Sequence, residues 1–306
     1  MADKEKEISL DGKMDDWGPF GENEGKWLIF SIGNPQEGHG LALPRIMDDL
    51  FGQRIAHLIS CKSGARYVAH IPWATDNFMP VASDWAPKVI PVDELVEKVK
   101  YFLSYHIEIY KDMGLPATKI LIFSGHGGNN PLGEHLESIK NDLKLEKLII
   151  APSDDLADEN MDRILKEIES LSEELATEHE SSRKIKRKLL KILTTGGHAG
   201  HFEHSTAAAL GVLDEEKLNM MNEELEKDFE KALQKWPPIG GLGGFLMAGG
   251  KYVEVIGPKE KDEHGLWACL KSLRKLDGGR ISPVKELGEL IINLLVEYYS
   301  ELLLKE

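Results

Sequence analysis

Cysteine is nearly absent from this sequence of 306 residues, occurring only as Cys61 and Cys269. Two thiols supply neither a disulfide framework nor a Cys-rich metal cluster, so both are expected as plain buried or half-buried thiols in a reducing compartment. Basic charge is also short: 37 Lys+Arg stand against 52 Asp+Glu, a formal charge of -15. That balance excludes nucleic acid as the expected partner, because phosphate binding wants clustered Lys and Arg. No window approaches the roughly 20 apolar residues of a membrane span. Met1 to Asp11, MADKEKEISLD, lacks the apolar stretch of a signal peptide, so a cytoplasmic protein with no membrane partner is expected. Gln is scarce as well, at Gln36, Gln53 and Gln234, a bias that fits a heat-adapted source. What remains is an ordinary globular composition, 42% hydrophobic. A chain of this length buries about three quarters of the surface its unfolded form exposes, and needs no disulfide or structural zinc to hold a core.

The first informative run is Lys26 to Gly33, KWLIFSIG, which predicts a buried strand feeding a loop at Gly33 and Pro35. From Asp48 the residues Leu50, Phe51, Ile55, Leu58 and Ile59 recur at helical spacing up to Gly64. Arg66 to Ile71 reads as a second strand closed by Pro72. Asp93 is expected to cap a helix whose Leu95, Val96, Val99, Leu103, Ile107 and Tyr110 share one stripe, ended by Gly114 and Pro116. Lys119 to Ser124, KILIFS, is the clearest strand. It is followed by Gly125 to Asn130, GHGGNN, then a helix from about Pro131 and a strand at Leu148 to Ala151. Such a β-loop-α-β unit implies parallel strands and an α/β class.

Between Ser153 and Lys191 the chain turns acidic through Glu180 and basic from Arg183, with Ile164, Leu165, Ile168, Leu171 and Leu175 as a thin apolar stripe. An amphipathic helical excursion with solvated charge blocks is expected. Leu193 to Gly197 is read as a return to the sheet, Thr206 to Leu210 as the start of another helix, and Trp236 to Gly250 as a Gly-rich loop. Without a repeat or a convincing linker, residues 1–306 are expected to form one domain.

Three segments concentrate metal-capable side chains, and each is placed just after an expected strand: Gln36 to Asp49, Gly125 to Asn130, and Gly197 to Ser205. In an open α/β sheet, ligands bind in the crevice at the carboxyl ends of the strands, where residues distant in sequence meet. Glu37 and His39, two apart, share a face of an extended segment. With Asp48 they offer a mixed oxygen and nitrogen set suited to zinc, manganese or iron(II). His126 is delivered by an apolar strand into a glycine pair, Gly127 and Gly128, whose amides can form an anion-binding nest. His198 suits general acid or base work, because its unperturbed pKa of about 6.5 lies near operating pH. Glu203 suits a ligand or the orientation of a ring or water. His201 and His204 are open between the site and the space behind it. His57, His106, His135, His179 and His264 are expected to be structural or exposed.

These residues resemble the motifs of the creatininase family of metal-dependent amidohydrolases. Glu37-Gly38-His39-Gly40 with Leu43-Pro44 and Asp48 matches the first, His126 to Asn129 the second, and His198-Ala199-Gly200 with Glu203 and Ser205 the third. Val255-Ile256-Gly257-Pro258 is a weaker echo of a later segment. The resemblance implies a three-layer α/β/α fold with a mostly parallel sheet and, in this chain, a helical insertion at about 153–191. It also implies one or two divalent metals (Zn, Mn or Fe(II)), with Glu37, Asp48 and His126 on one, His39 and Asp48 on the other, and Asp48 bridging. His198 falls at the catalytic acid/base position. The family's carboxylate two residues after His126 is replaced by Gly128, and Glu203 is the candidate to supply it.

Other departures concern the substrate: Thr75-Asp76-Asn77-Phe78 and Ser83-Asp84-Trp85 replace family stretches, and His201 and His204 replace acidic and Thr residues. Asp76, Trp85, Gly127, Gly128 and His201 are the candidates to line the substrate pocket. The expected function is hydrolysis of a carbonyl on a small polar cyclic substrate, a cyclic amide or formamide, by a homo-oligomer for which a hexamer is the candidate. Two alternatives stand beside it: a carbon-carbon hydrolase opening a cyclic diketone such as a keto-inositol, and a metal-free noncatalytic binding or scaffold protein.

Overall fold

The run Trp27–Ile32 forms the central strand β1, buried along its whole length. It pairs in parallel with β2 (Arg66–Ile71) on one side and β3 (Lys119–Ser124) on the other, and β3 pairs in parallel with β4 (Lys147–Ala151). The sheet order is therefore β2-β1-β3-β4, all parallel. The computed structural model describes residues 27–76, 85–86, 88–152, 154–195, 198–236 and 278–306. Residues 77, 78, 83 and 84, the Gly-rich stretch after Trp236, the echo at Val255 to Pro258, and Cys269 lie outside the described residues.

Because strand side chains alternate, β1 feeds two cores. Trp27 and Ile29, with Leu121 and Phe123 of β3, pack under α1 (Met47–Ser63) and the C-terminal helix. Leu28, Phe30 and Ile32, with Ile120 and Ile122, face α2 (Val92–Asp112), where Leu95, Val99 and Leu103 are fully buried. Helices on both faces of one parallel sheet make a three-layer α/β/α arrangement, the architecture expected from the motifs. At the end of α1, Gly64 takes a left-handed φ of 76° and returns its N–H to the Ser60 carbonyl, the stop that glycine permits.

Four expectations need correction. Asp93 does not cap α2. Pro91 holds that position and Asp93 stands in the first turn, where its charge complements the helix dipole. The helix expected from Pro131 starts earlier and tighter, as a 3-10 helix over Gly127–His135 that leads into α3 (Leu136–Asp142). Leu193 does not return to the sheet. It lies in α5 (Ser182–Thr195), where Ile185, Leu189, Ile192 and Leu193 recur at helical spacing and are buried with Ile164 and Ile168 of α4 (Asp154–Glu174). The excursion is thus two helices of opposite charge docked on the core, and the third polar segment follows a helix, not a strand. Cys61, finally, is an exposed free thiol on α1, with Sγ 3.5 Å from Nε2 of His57.

After α5 come α6 (His201–Ala209), α7 (Glu215–Lys227), α8 (Phe229–Lys235) and α9 (Lys285–Lys305). In α9, Leu295 and Tyr299 complete the α1 core, the Tyr299 ring meeting Phe123 edge-on at 6.0 Å. Among the described residues no helix is long and apolar enough to cross a membrane.

Candidate metal centre

Four chain segments meet at the carboxyl ends of β1 and β3. The loop after β1 brings Glu37 and His39, the first turn of α1 brings Asp48, the exit of β3 brings His126, and the start of α6 brings Glu203 with His198 just before it. Close approach of α1 to the strand ends depends on two glycines. A Cβ on Gly125 would overlap the Asp48 carbonyl oxygen, and one on Gly33 would overlap the Asp49 carboxylate and amide. Larger residues at either position would push Asp48 away from the other ligands.

Asp48 lies at the middle of the group. Its Oδ2 is 3.1 Å from Nδ1 of His126 and its Oδ1 is 3.2 Å from Nε2 of His39. On the first side, His126 Nδ1 also meets Glu37 Oε2 at 2.7 Å; on the second, His39 Nε2 faces Glu203 Oε2 at 3.7 Å. Two triads result, Glu37-Asp48-His126 and His39-Asp48-Glu203, whose ligand atoms lie within 4.8 Å of one another. They share Asp48 through its two oxygens, the placement a bridging carboxylate needs. His39 donates from Nδ1 to the Glu37 carbonyl oxygen at 3.2 Å, which leaves Nε2 facing the carboxylates as the nitrogen that could ligate once it gives up its proton.

A divalent cation fits this donor set. Glu37, His39 and Asp48 are buried, and Asp48 Oδ2 has no hydrogen-bond donor. Three carboxylates held this close out of water repel one another unless positive charge stands between them. Without it, protons take that part. Burial works against charge on His39, but Asp48, Glu203 and Glu37 outweigh it and hold the pKa up at about 10. His126 is raised well above its ordinary value in the same way, against burial, by Glu37 and Asp48. Asp48 is held far below the usual carboxylate range, its burial outweighed by His39 and His126. Glu203 is raised, because burial together with the charges of Asp48 and Glu37 exceeds the attraction of His39. Harder N and O donors of this kind suit zinc, manganese or iron(II).

His198 sits against this cluster and is tuned differently. Its Nε2 donates to the Gly38 carbonyl oxygen at 3.0 Å, while Nδ1 faces Glu37 Oε1 at 3.4 Å and Glu203 Oε1 at 3.8 Å. Burial, helped by His39 and His126 and opposed by Glu37, lowers its pKa to about 4, so the ring is neutral near pH 7. Glu37, His39 and His198 form a third group with ligand-like spacing. Trp85 stacks on the His198 ring, centroids 5.7 Å apart and planes 24° apart, and its carbonyl oxygen accepts the Gly38 N–H at 2.7 Å.

The structure thus brings together Glu37, His39, Asp48, His126, His198 and Glu203. Of the pocket candidates, Trp85 lies on His198. Asp76 lies on the far side of the His126 ring with its side chain 1% exposed, and Gly128 is packed against both. Gly127 opens the 3-10 helix. His201 is fully buried in α6, as is His204, whose Nδ1 donates to the Gly200 carbonyl oxygen at 2.8 Å and whose pKa burial lowers to about 3. Two asparagines escaped the sequence reading as functional residues. Asn34 Nδ2 reaches Glu37 Oε2 at 3.4 Å. Asn129 ties three strand ends together: its Oδ1 accepts the Thr75 N–H at 3.0 Å, and its Nδ2 donates to the Gly33 carbonyl at 3.1 Å and Ser124 Oγ at 3.4 Å. Its place in the second motif was the available signal.

No family model matches the chain. A stretch of 119 residues, 38% of the chain, is 29% identical to the 2-amino-5-formylamino-6-ribosylaminopyrimidin-4(3H)-one 5'-monophosphate deformylase of Methanosphaera stadtmanae and spans 48% of it, about half that relative's length. Among solved structures, a putative creatinine amidohydrolase from Bacteroides fragilis superposes with a TM-score of 0.46 at 17% identity, covering 92% of this chain and 89% of that one. A structure described as creatininase Mn gives a TM-score of 0.48 at 14% identity, covering 91% and 90%.

Proposed function

We propose that this creatininase-like chain is a metal-dependent hydrolase that cleaves a carbon-nitrogen bond at a carbonyl of a small polar ring compound, a formamide or cyclic amide. The observation that carries the reading is the pair of triads sharing Asp48, a donor arrangement that neither packing nor a plain binding site requires. The formamide option is supported by the deformylase relative. A bound divalent cation would polarise the carbonyl and make water acidic enough to attack near pH 7.

The remaining chemistry falls to side chains. Glu37, Asp48 and His126 would bind one cation, and His39, Asp48 and Glu203 the other. His198 is held with Nε2–H on the Gly38 carbonyl, so Nδ1 offers a lone pair toward the cluster. That atom would accept one proton from the attacking water and return it to the departing nitrogen, so the C–N bond breaks to give a neutral amine and a carboxylic or formic acid, which releases its remaining proton to solvent as it ionises near pH 7. Trp85, stacked on the ring, covers one of its faces.

Two measurements on one purified sample test the reading. Metal analysis without added chelator is expected to find at least about one equivalent of zinc, manganese or iron per chain. Turnover is then screened on formylaminopyrimidines, creatinine, hydantoins and keto-inositols. Release of formate or a ring-opened acid supports the proposal. Cleavage of keto-inositols alone would transfer it to carbon-carbon chemistry, and metal below one equivalent with no turnover would leave a binding protein.

A further inference from the structure

We infer that Asp76 is a positioning residue that fixes the His126 ring from behind, and not a group that touches substrate. The inference rests on reading the cluster as a metal centre. His126 presents Nδ1 to Glu37 and Asp48, where a cation would sit, and its opposite nitrogen, Nε2, points to Asp76 Oδ2 at 3.8 Å. Nε2 is buried and makes no hydrogen bond of its own. A histidine that gives one nitrogen to a metal carries its proton on the other, and a carboxylate facing that N–H fixes the tautomer and ring angle while making the ligand nitrogen more basic.

Two further observations show that the carboxylate is placed rather than incidental. Asp76 follows Thr75, whose N–H is held by Asn129, three residues beyond His126 on the same loop, while the Ala74 carbonyl accepts the Ile90 N–H at 2.9 Å. The backbone leading to the carboxylate is therefore anchored to the loop that carries the imidazole. The space between them is also closed: a Cβ on Gly128 would overlap Nε2 of His126 and come within 2.9 Å of the Asp76 carboxylate. A side chain at position 128 and the Asp76–His126 pair exclude each other. Gly128 thereby becomes part of the same device, not merely the loss of a ligand.

The test uses the full chain, stripped of metal, as wild type and as Asp76→Asn and Asp76→Ala. Zinc alone is titrated in against a competing chelator. Both variants are expected to weaken one zinc site by about 10–100-fold and to leave the other within a few-fold, with circular dichroism and the melting temperature of the stripped protein unchanged. Unchanged affinity at both sites, or an equal loss at both with a lower melting temperature, would overturn the inference. A second readout stands without metal: nitrogen-15 NMR of the imidazoles should show the His126 Nε2 resonance, which faces Asp76, shift in Asp76→Asn while those of His39 stay as in wild type, and no change there would also overturn it. If wild type takes up no zinc, the hydrolase proposal fails, and the NMR comparison still decides the pairing of Asp76 with His126.

Discussion

The hairpin of α4 and α5 and the cluster at the strand ends both set carboxylates beside cationic side chains, and they use charge in opposite ways. In the hairpin, Lys186 meets Glu169 and Lys184 meets Glu180, each at 3.0 Å, with side chains largely in water. Solvent screens such pairs, which contribute about 0–1 kcal/mol apiece. In the cluster, Glu37, Asp48, His39 and His126 lie at similar separations, but their side chains are at most 6% exposed. There each charge has lost its hydration, so one partner removed leaves another stranded. Desolvation, not residue type, separates a solvated face from a site that gains by taking a cation.

Substitution of the shared carboxylate breaks the comparison most sharply. Asp48→Ala removes a ligand from both triads and should cost more than about 100-fold in metal affinity and turnover, beyond the loss typical of a partner standing behind a ligand. Circular dichroism of the stripped protein should stay as in wild type, and wild-type activity in this variant would refute the bridging role.

Next in size is His198→Ala. Loss of a general acid or base lowers turnover by about 10²–10⁴-fold, and metal content should remain at the wild-type value. Loss of metal instead would move His198 into the ligand set with Glu37 and His39.

Proton release sharpens the contrast further. With its pKa held at about 10, His39 is protonated at pH 7 in the stripped chain and must lose that proton to ligate. Zinc added to weakly buffered stripped protein should therefore acidify the solution, an effect that fades as the starting pH rises through 10. The sign for stability follows from the same shift. The folded value lies above the unfolded value of 6.5, so the contribution of His39 to the stripped fold is complete below 6.5 and lost as pH rises through about 10. Melting temperatures across that window, with and without zinc, check it.

The smallest effect is expected in the hairpin. Lys186→Ala should change stability by no more than about 1 kcal/mol, less still in high salt, with metal content and turnover untouched. A loss of activity there would show that the two regions are not independent.

Periodicity carried much of the fold into view. β1 and β3 read as strands because KWLIFS and KILIFS are apolar on both faces, the mark of a sheet covered on both sides. The stripes of α1 and α2 were equally legible. Leu193 lies in a short apolar run with no decisive period of its own, and only its burial beside Leu189 and Ile192 shows it to be helical. The candidate ligands were legible as residue types at motif spacing. The part played by Asp76 was not, because nothing local to it shows which ring it will face.

By itself, then, the sequence determined which residues could bind a cation and which segments would become buried strands and helices, since both depend on side-chain chemistry and short-range spacing. Tertiary structure alone decided that Asp48 turns one oxygen to His126 and the other to His39, that His198 is held neutral by burial, and that Asp76 stands behind His126. Those are consequences of four chain segments packed at one sheet edge with water excluded, and distance and dielectric exist only after that packing.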